Sequence, residues 1–239
     1  MLEVIEIVII LAGMIGVGKT TYTTRLAETL GTEAFFEPVD DNPILDKYYE
    51  DPDRYGFVLQ IYFLNKRFKS IKEAYLAENN ILDRSIYEDA LFTYINTLQG
   101  SISQEEYAIY LELLDNMMEE IDALPKKAPD LLIYLDGSFE TIMDNIQKRG
   151  RSYEQVDDNP ELLAYYKLLH QHYGKWYADY DYGPKMKIST DNLGSIISVV
   201  GKSTMEIMEP FWVYTKSPIW LIMKSDETHI RKGSYGTTK

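Results

Sequence analysis

Cysteine is absent from the 239 residues, which excludes a disulfide framework, a thiolate zinc site and a thiol nucleophile. Long apolar runs are missing too. The longest near-candidate, Val4–Leu11, falls well short of the roughly 20 residues that a membrane span needs. The N-terminus carries no basic stretch and no cleavage site, so it does not read as a secretory signal. Positive charge is scarce: 24 Lys plus Arg stand against 38 Asp plus Glu, a formal net charge of −14. Such a surface repels a polyphosphate chain, so no long nucleic acid is expected as a partner. What remains is a soluble, cytoplasmic, acidic protein, 45% hydrophobic and able to bury a full core. Any small anionic ligand must then be drawn to a local basic site.

The chain alternates strand and helix signals. Val4–Leu11 is β-branched and nearly continuously apolar, the pattern of a strand covered on both faces. Gly13 to Gly18 is a glycine-rich turn, and Thr20–Leu30 reads as a helix closed by Gly31. Ala34–Phe36 is a second strand, and a long helix runs from Tyr55 to Glu78. Ile81-Leu82 lead a third strand into Asp83-Arg84-Ser85, followed by helices at Ile86–Leu98 and Gln104–Leu124. Ser103 with Glu106 has the spacing of a capping box. Leu131–Leu135 is a clear strand, Phe139–Lys148 and Pro160–Tyr180 are helical, Lys185–Ile188 is a last strand and Ile196–Met208 a last helix. This alternation predicts a three-layer α/β domain, a parallel sheet of five strands flanked by helices. One domain over residues 1–209 is expected. Residues 210–239 form an extension with basic residues and no clear apolar period, compatible with a strand pair, a dimer contact or a loose tail.

Gly13-Met14-Ile15-Gly16-Val17-Gly18-Lys19-Thr20 satisfies G-x-x-x-x-G-K-[ST], the phosphate loop of P-loop NTPases. Glycines let several N–H groups converge on phosphates, and the next helix adds its positive end. Lys19 can bridge phosphate oxygens and the Thr20 hydroxyl can ligate Mg²⁺, with Thr21 beside it. A plain connecting turn is the alternative, which the placement between strand and helix argues against.

Other charged residues fall at the strand ends, where an open parallel sheet forms its ligand crevice. Glu37 follows the second strand and can act as a general base. Asp83 can serve a Mg²⁺ shell and Arg84 a transferring phosphoryl group. Arg149-Gly150-Arg151, with Lys148, concentrates positive charge in a candidate lid over donor phosphates. Each has a plainer reading: a solvated loop acid, an exposed ion pair, a basic helix end. His170 and His172 are two apart and share no helix face, so they read as structural. The tyrosines around 165–182 read as packing. A guanine-reading Asn-Lys-x-Asp run fails at Phe68 of Asn65-Lys66-Arg67-Phe68, which argues against a GTPase.

Taken in order, the phosphate loop, Glu37-Pro38-Val39, Gln60 with Arg67, Asp83-Arg84-Ser85 with Asp89, and Arg149-Gly150-Arg151 with Glu154 resemble the deoxyribonucleoside kinase family. That family includes the deoxycytidine, deoxyguanosine and deoxyadenosine kinases, and the match covers roughly residues 5 to 180. Asp83 to Asp89 is most similar in wording to the bacterial purine deoxynucleoside kinases. The resemblance implies an ATP- and Mg²⁺-dependent 5′-phosphotransferase acting on deoxyadenosine, deoxyguanosine or deoxycytidine, and a homodimer. It implies that Glu37 deprotonates the 5′-hydroxyl, that Gln60, Asp89 and Arg67 read the base edge, and that Tyr49 and Glu154 hold the 3′-hydroxyl. Tyr49 close beneath the sugar would also exclude ribose. Arg84 would lie near the 5′-oxygen, and Asp83 with Thr20 would organise Mg²⁺. Two departures stand within the match. Asn145 replaces an arginine that some relatives carry one turn before the lid pair, and Thr93, beside Phe92, replaces a frequent phenylalanine against the base.

Two rivals are weighed beside this. A nucleoside monophosphate kinase of the thymidylate kinase kind shares the loop and lid, yet its charged acceptor needs extra cations where Glu37 stands. A non-catalytic nucleotide-dependent regulatory module would leave Gln60, Arg67 and Asp89 without a task.

Overall fold

Apolar segments too short for helices form the sheet. They are β1 (Val8–Ala12), β2 (Glu33–Phe35), β3 (Asn80–Asp83), β4 (Leu131–Asp136) and β5 (Lys185–Ser189). The computed structural model describes residues 8–36, 42–76, 80–122 and 129–191. Glu37, the helix expected at 196–208 and the extension at 210–239 lie outside the described residues. All pairings are parallel and the strand order is β2-β3-β1-β4-β5, as expected for a P-loop fold with five parallel strands. The order places β1 at the centre, with Leu11 in register with Asp83 on one side and Ile133 on the other. Strands β3 and β2 lie on one side of β1 and β4 and β5 on the other, so the connections run to opposite halves of the sheet and open a crevice beyond its carboxyl end.

The helices are α1 (Lys19–Leu30), α2 (Leu45–Glu50), α3 (Pro52–Leu76), α4 (Ile86–Gln99), α5 (Gln104–Asp122), α6 (Phe139–Arg149) and α7 (Pro160–Asp179). Successive side chains of β1 face opposite layers. Val8 and Ile10, with Leu82 of β3, join Leu64, Ile71 and Ala74 of α3 and Tyr110 of α5 in one core cluster. Ile9 and Leu11 are equally buried, which explains why β1 is apolar without alternation. Burying a Leu or Ile side chain stabilises the fold by roughly 1.5–3 kcal/mol. Polar β1 residues would therefore dissolve both layers together.

Two elements depart from the sequence reading by more than a residue or two at their ends, each for a local reason. Helix α3 begins at Pro52 rather than Tyr55. Asp51 caps it, its Oδ1 accepting from the Arg54 N–H at 3.2 Å, and proline suits a first helical position because its missing N–H would be unused there. Helix α2 was not foreseen. Asn42 starts it, with Oδ1 accepting from the N–H groups of Ile44 (2.9 Å) and Leu45 (3.2 Å). The capping box at α5 is present: the Ser103 N–H donates to Glu106 at 2.8 Å and the Glu106 N–H to Ser103 Oγ at 3.1 Å.

Candidate active site

The loop from β1 to α1 depends on glycine where other side chains have no room. Gly16 has φ +83°, and a Cβ there would stand 2.6 Å from Ile146 Cγ1 of α6. At Gly13 a Cβ would meet the Leu135 carbonyl oxygen at 2.7 Å. Both distances lie below contact, so larger residues would force the loop off the sheet edge. Lys19 is buried, and its Nζ donates to the carbonyls of Gly13 (2.7 Å) and Met14 (3.1 Å). This folds the ammonium group back across the loop. The first turn of α1 contains no acidic residue, so its positive end is not neutralised from within.

Beside the loop, β3 ends at Asp83 with Arg84 next to it, and here the plainer reading of an exposed pair fails: both side chains are buried. Thr20 Oγ1 donates to Asp83 Oδ2 at 2.7 Å, joining loop and strand across 63 residues of chain. Asp83 Oδ1 is buried and has no hydrogen-bond partner among the described residues. Arg84 has φ +81°, an unusual conformation for a side-chain-bearing residue. Its N–H donates to the Leu11 carbonyl at 2.8 Å, and its guanidinium lies 4.5 Å from the centre of the Phe92 ring. Residues held in such conformations cluster at functional sites, where surrounding contacts over-determine them.

A cleft of about 810 Å³ opens from the loop. Away from the phosphate loop its wall includes Leu59, Gln60 and Phe63 of α3, Asp89 and Phe92 of α4, and Tyr165 of α7. Arg67, two turns beyond Gln60 on the same helix face, donates to both Asp89 oxygens (3.2 and 3.4 Å) and to the Asp83 carbonyl (3.0 Å). It supports the wall from behind and orients Asp89 rather than lining the cleft itself. Phe92, not Thr93, presents the ring: Thr93 is fully buried and donates to the Asp89 carbonyl at 2.9 Å.

Tyr49 of α2 lines the cleft with its ring 5.0 Å from that of Tyr153. Burial pushes its hydroxyl well above the ordinary range, with Tyr166 and Glu154 adding to the effect. Neighbouring Tyr48 is pushed up to about 12 by burial, against hydrogen bonds to Tyr165 and Asn96. These phenols are therefore neutral donors at any physiological pH. Glu154, buried in a 3-10 turn over Ser152–Glu154, pairs with Arg149 and, at 3.5 Å, with Arg151. Arg149, Arg151 and Glu154 thus form one ionic group. Asn145 donates to the Gly16 carbonyl at 2.9 Å, tying α6 to the phosphate loop.

Gly16, Val17, Gly18, Lys19, Thr20, Thr21, Tyr49, Gln60, Asp83, Arg84, Asp89, Arg149, Arg151 and Glu154 all line this one cleft. Gly13 and Arg67 stand behind it. Phe36, immediately before Glu37, also lines it. His170 and His172 bond the carbonyls of Gly137 (3.0 Å) and Leu168 (2.8 Å), in keeping with a structural part. The sequence reading missed Tyr48 and Tyr165 as cleft wall, and it missed Glu88 and Tyr173 behind the loop. Ser85-x-x-Glu88 is itself a capping-box pattern and could have flagged Glu88; nothing in the sequence marks Tyr173.

Comparisons with known proteins agree with this geometry. A family model described as deoxynucleoside kinase matches residues 9–210. A deoxyguanosine kinase of Lactobacillus johnsonii is 53% identical over 191 residues, 80% of this chain and 85% of the relative. A deoxyadenosine kinase of Lactobacillus acidophilus is 46% identical over 192 residues, 80% of this chain and 89% of the relative. The structure of deoxyadenosine kinase from M. mycoides with bound dATP superposes with a TM-score of 0.71 at 31% identity, covering 82% of this chain and 97% of that one. With its loop, sheet and cleft in these places, the chain belongs to the deoxynucleoside kinase family and is a kinase that phosphorylates deoxynucleosides.

Proposed function

We propose that this kinase uses ATP and Mg²⁺ to phosphorylate the 5′-hydroxyl of a purine deoxyribonucleoside, deoxyadenosine or deoxyguanosine, with deoxycytidine as the alternative acceptor, in nucleoside salvage. One observation carries the reading: a single cleft has a phosphate loop at one end and the buried Gln60–Asp89 pair on its wall. The relatives named deoxyguanosine and deoxyadenosine kinase support the purine preference.

In this reading Glu37 takes the proton from the 5′-hydroxyl as the oxygen attacks the γ-phosphorus. Its position directly after Phe36, which lines the cleft, supports that role. Lys19, Arg84, Arg149 and Arg151 stabilise the charge that spreads over the phosphoryl oxygens. Gln60 and Asp89 read the base edge; Gln60 offers both a donor and an acceptor, and Arg67 keeps Asp89 oriented. Tyr49 and Glu154 hold the 3′-hydroxyl. Thr20 and Asp83 are hard oxygen donors 2.7 Å apart, and the buried Asp83 Oδ1, without a partner among the described residues, suits a cation. Bound Mg²⁺ would supply charge neutralisation at the phosphate oxygens. The kinase domain spans 1–209, 210–239 is appended to it, and the working form is a homodimer in the cytoplasm.

The test is a panel of the four deoxynucleosides, the four ribonucleosides, dAMP and dTMP with ATP. Purine deoxynucleosides should be phosphorylated fastest, ribonucleosides poorly and the monophosphates not at all. Turnover of dAMP or dTMP in place of the free nucleosides would overturn the proposal. Glu37→Gln should lower kcat by roughly 10²–10⁴-fold, the usual span for a general base, and near-normal turnover would remove that assignment.

A further inference from the structure

Glu88 is the most deeply buried carboxylate of the described residues, with no exposed surface. It lies in the first turn of α4 and does not itself line the cleft. Four donors surround it. Oε2 accepts from the Ser85 N–H at 2.8 Å. Oε1 accepts from the Gly13 N–H at 2.8 Å and the Tyr173 hydroxyl at 2.9 Å, with the Arg84 guanidinium at 3.5 Å. Only donors face its oxygens, the pattern a carboxylate requires.

Helix capping explains only part of this. The box at Ser103/Glu106 shows what capping needs: one carboxylate oxygen on the cap N–H, in an exposed setting. At Glu88 one oxygen meets that need, while the other is spent on the phosphate loop, on Arg84 and on α7. Desolvating a carboxylate costs several kcal/mol before its partners offset it, a poor arrangement for a cap alone. Tyr173 completes the group. Its hydroxyl accepts from Arg84 at 3.1 Å and lies 3.1 Å from the Gly13 carbonyl. Burial and the Glu88 carboxylate push its pKa well up, against Arg84, so the hydroxyl keeps its proton.

We propose that Glu88 is a positioning residue: with Tyr173 it locks the first peptide of the phosphate loop and the Arg84 guanidinium into one unit, so that donor phosphates and the arginine meet at a set distance. The inference rests on the phosphotransfer reading above and adds to it a residue that touches neither substrate. It also accounts for the positive φ of Arg84. The backbone is gripped on one side by Leu11 and on the other by Glu88 through Ser85, while the side chain is held by Tyr173 and Glu88.

The test uses the full-length protein with Glu88→Gln, Tyr173→Phe and the double variant, measuring kcat and both KM values. Glutamine keeps the shape, but its amide nitrogen cannot accept, so either Gly13 or Ser85 loses its acceptor. Loss of set geometry of about 1 Å should lower kcat by about 10²-fold in Glu88→Gln. Tyr173→Phe should lower kcat by about tenfold. The KM for the deoxynucleoside should stay within about threefold, because Gln60 and Asp89 are untouched. The double variant should be no worse than Glu88→Gln, since residues acting as one unit are not additive. A wild-type kcat in Glu88→Gln with only a lowered melting temperature would make the residue a cap and overturn the proposal. Fully additive kcat losses would also overturn it. Should Glu88→Gln fail to fold, Tyr173→Phe decides: a lower kcat at unchanged KM supports the unit, and an unchanged kcat overturns it. If the unsubstituted protein phosphorylates no deoxynucleoside, it is the reading underneath that has failed.

Discussion

Replacing Arg84 by alanine and, separately, by glycine separates two properties of that residue. Both changes delete the guanidinium, with its contacts to Tyr173, Glu88 and the Phe92 ring. Those losses are common to the two variants and cancel in their difference. What differs is the backbone at φ +81°. An L-residue in the left-handed region costs about 1–2 kcal/mol, which glycine avoids. Glycine in turn has a more disordered unfolded chain, worth about 0.4–1 kcal/mol against it. Arg84→Gly should therefore be more stable than Arg84→Ala by about 1 kcal/mol, or about 2–4 °C in melting temperature for a domain of this size. Activity should not follow stability. In the proposed mechanism both variants lose a cation at the transferring phosphoryl group, so kcat should fall by about 10³-fold in each. Urea unfolding followed by circular dichroism gives the first quantity, and a coupled ATP assay gives the second. An alanine variant as stable as the glycine variant would show that the backbone at 84 is unstrained. A kcat within about tenfold of the unsubstituted enzyme would remove Arg84 from the transition state.

Asp89→Asn removes the Asp89 carboxylate from buried Arg67. Losing one partner of a buried pair should cost about 3–5 kcal/mol of stability. If Asp89 reads the base as proposed, the KM for the deoxynucleoside should rise at least about tenfold as that charge-assisted bond is lost; an unchanged KM measured on the folded variant would place the base elsewhere. At alkaline pH the buried tyrosines set the limit. Tyr48 is raised from an ordinary 10 to about 12, and Tyr49, Tyr165 and Tyr173 are raised well above 10. A raised folded-state pKa gives stability that is fully present below the unfolded value and is lost as pH climbs through the folded one. Stability should hold up to about pH 10 and fall steeply towards 12, with tyrosinate absorbance appearing together with unfolding. Titration of all the tyrosines near 10 with the fold intact would contradict the burial.

Parts of the site that are contiguous in the chain could be read directly from it. Strand, glycine turn and helix follow one another at Val8–Leu30, and the phosphate loop needs only short-range backbone geometry. The edge rule for parallel sheets then extends the reading. Because all strands point one way, residues just past β1 and β3 meet, which brings Thr20 to Asp83. Helix α2 escaped because its six residues are too few for a periodic signal. The start of α3 escaped although Asp51-Pro52 signalled it.

By itself the sequence determined the fold class, the phosphate loop, the acidic and basic residues at the strand ends and the family resemblance that the comparisons then established. Only the tertiary structure decided how these parts are held. It showed that Arg67 stands behind Asp89, that Glu154 gathers both lid arginines, and that Glu88 and Tyr173 reach Gly13 from 75 and 160 residues away. A buried carboxylate has meaning only through the donors around it. Those donors come from the turn after β1, the link between β3 and α4, and α7, segments that no local periodicity connects and that only packing around a central strand brings together.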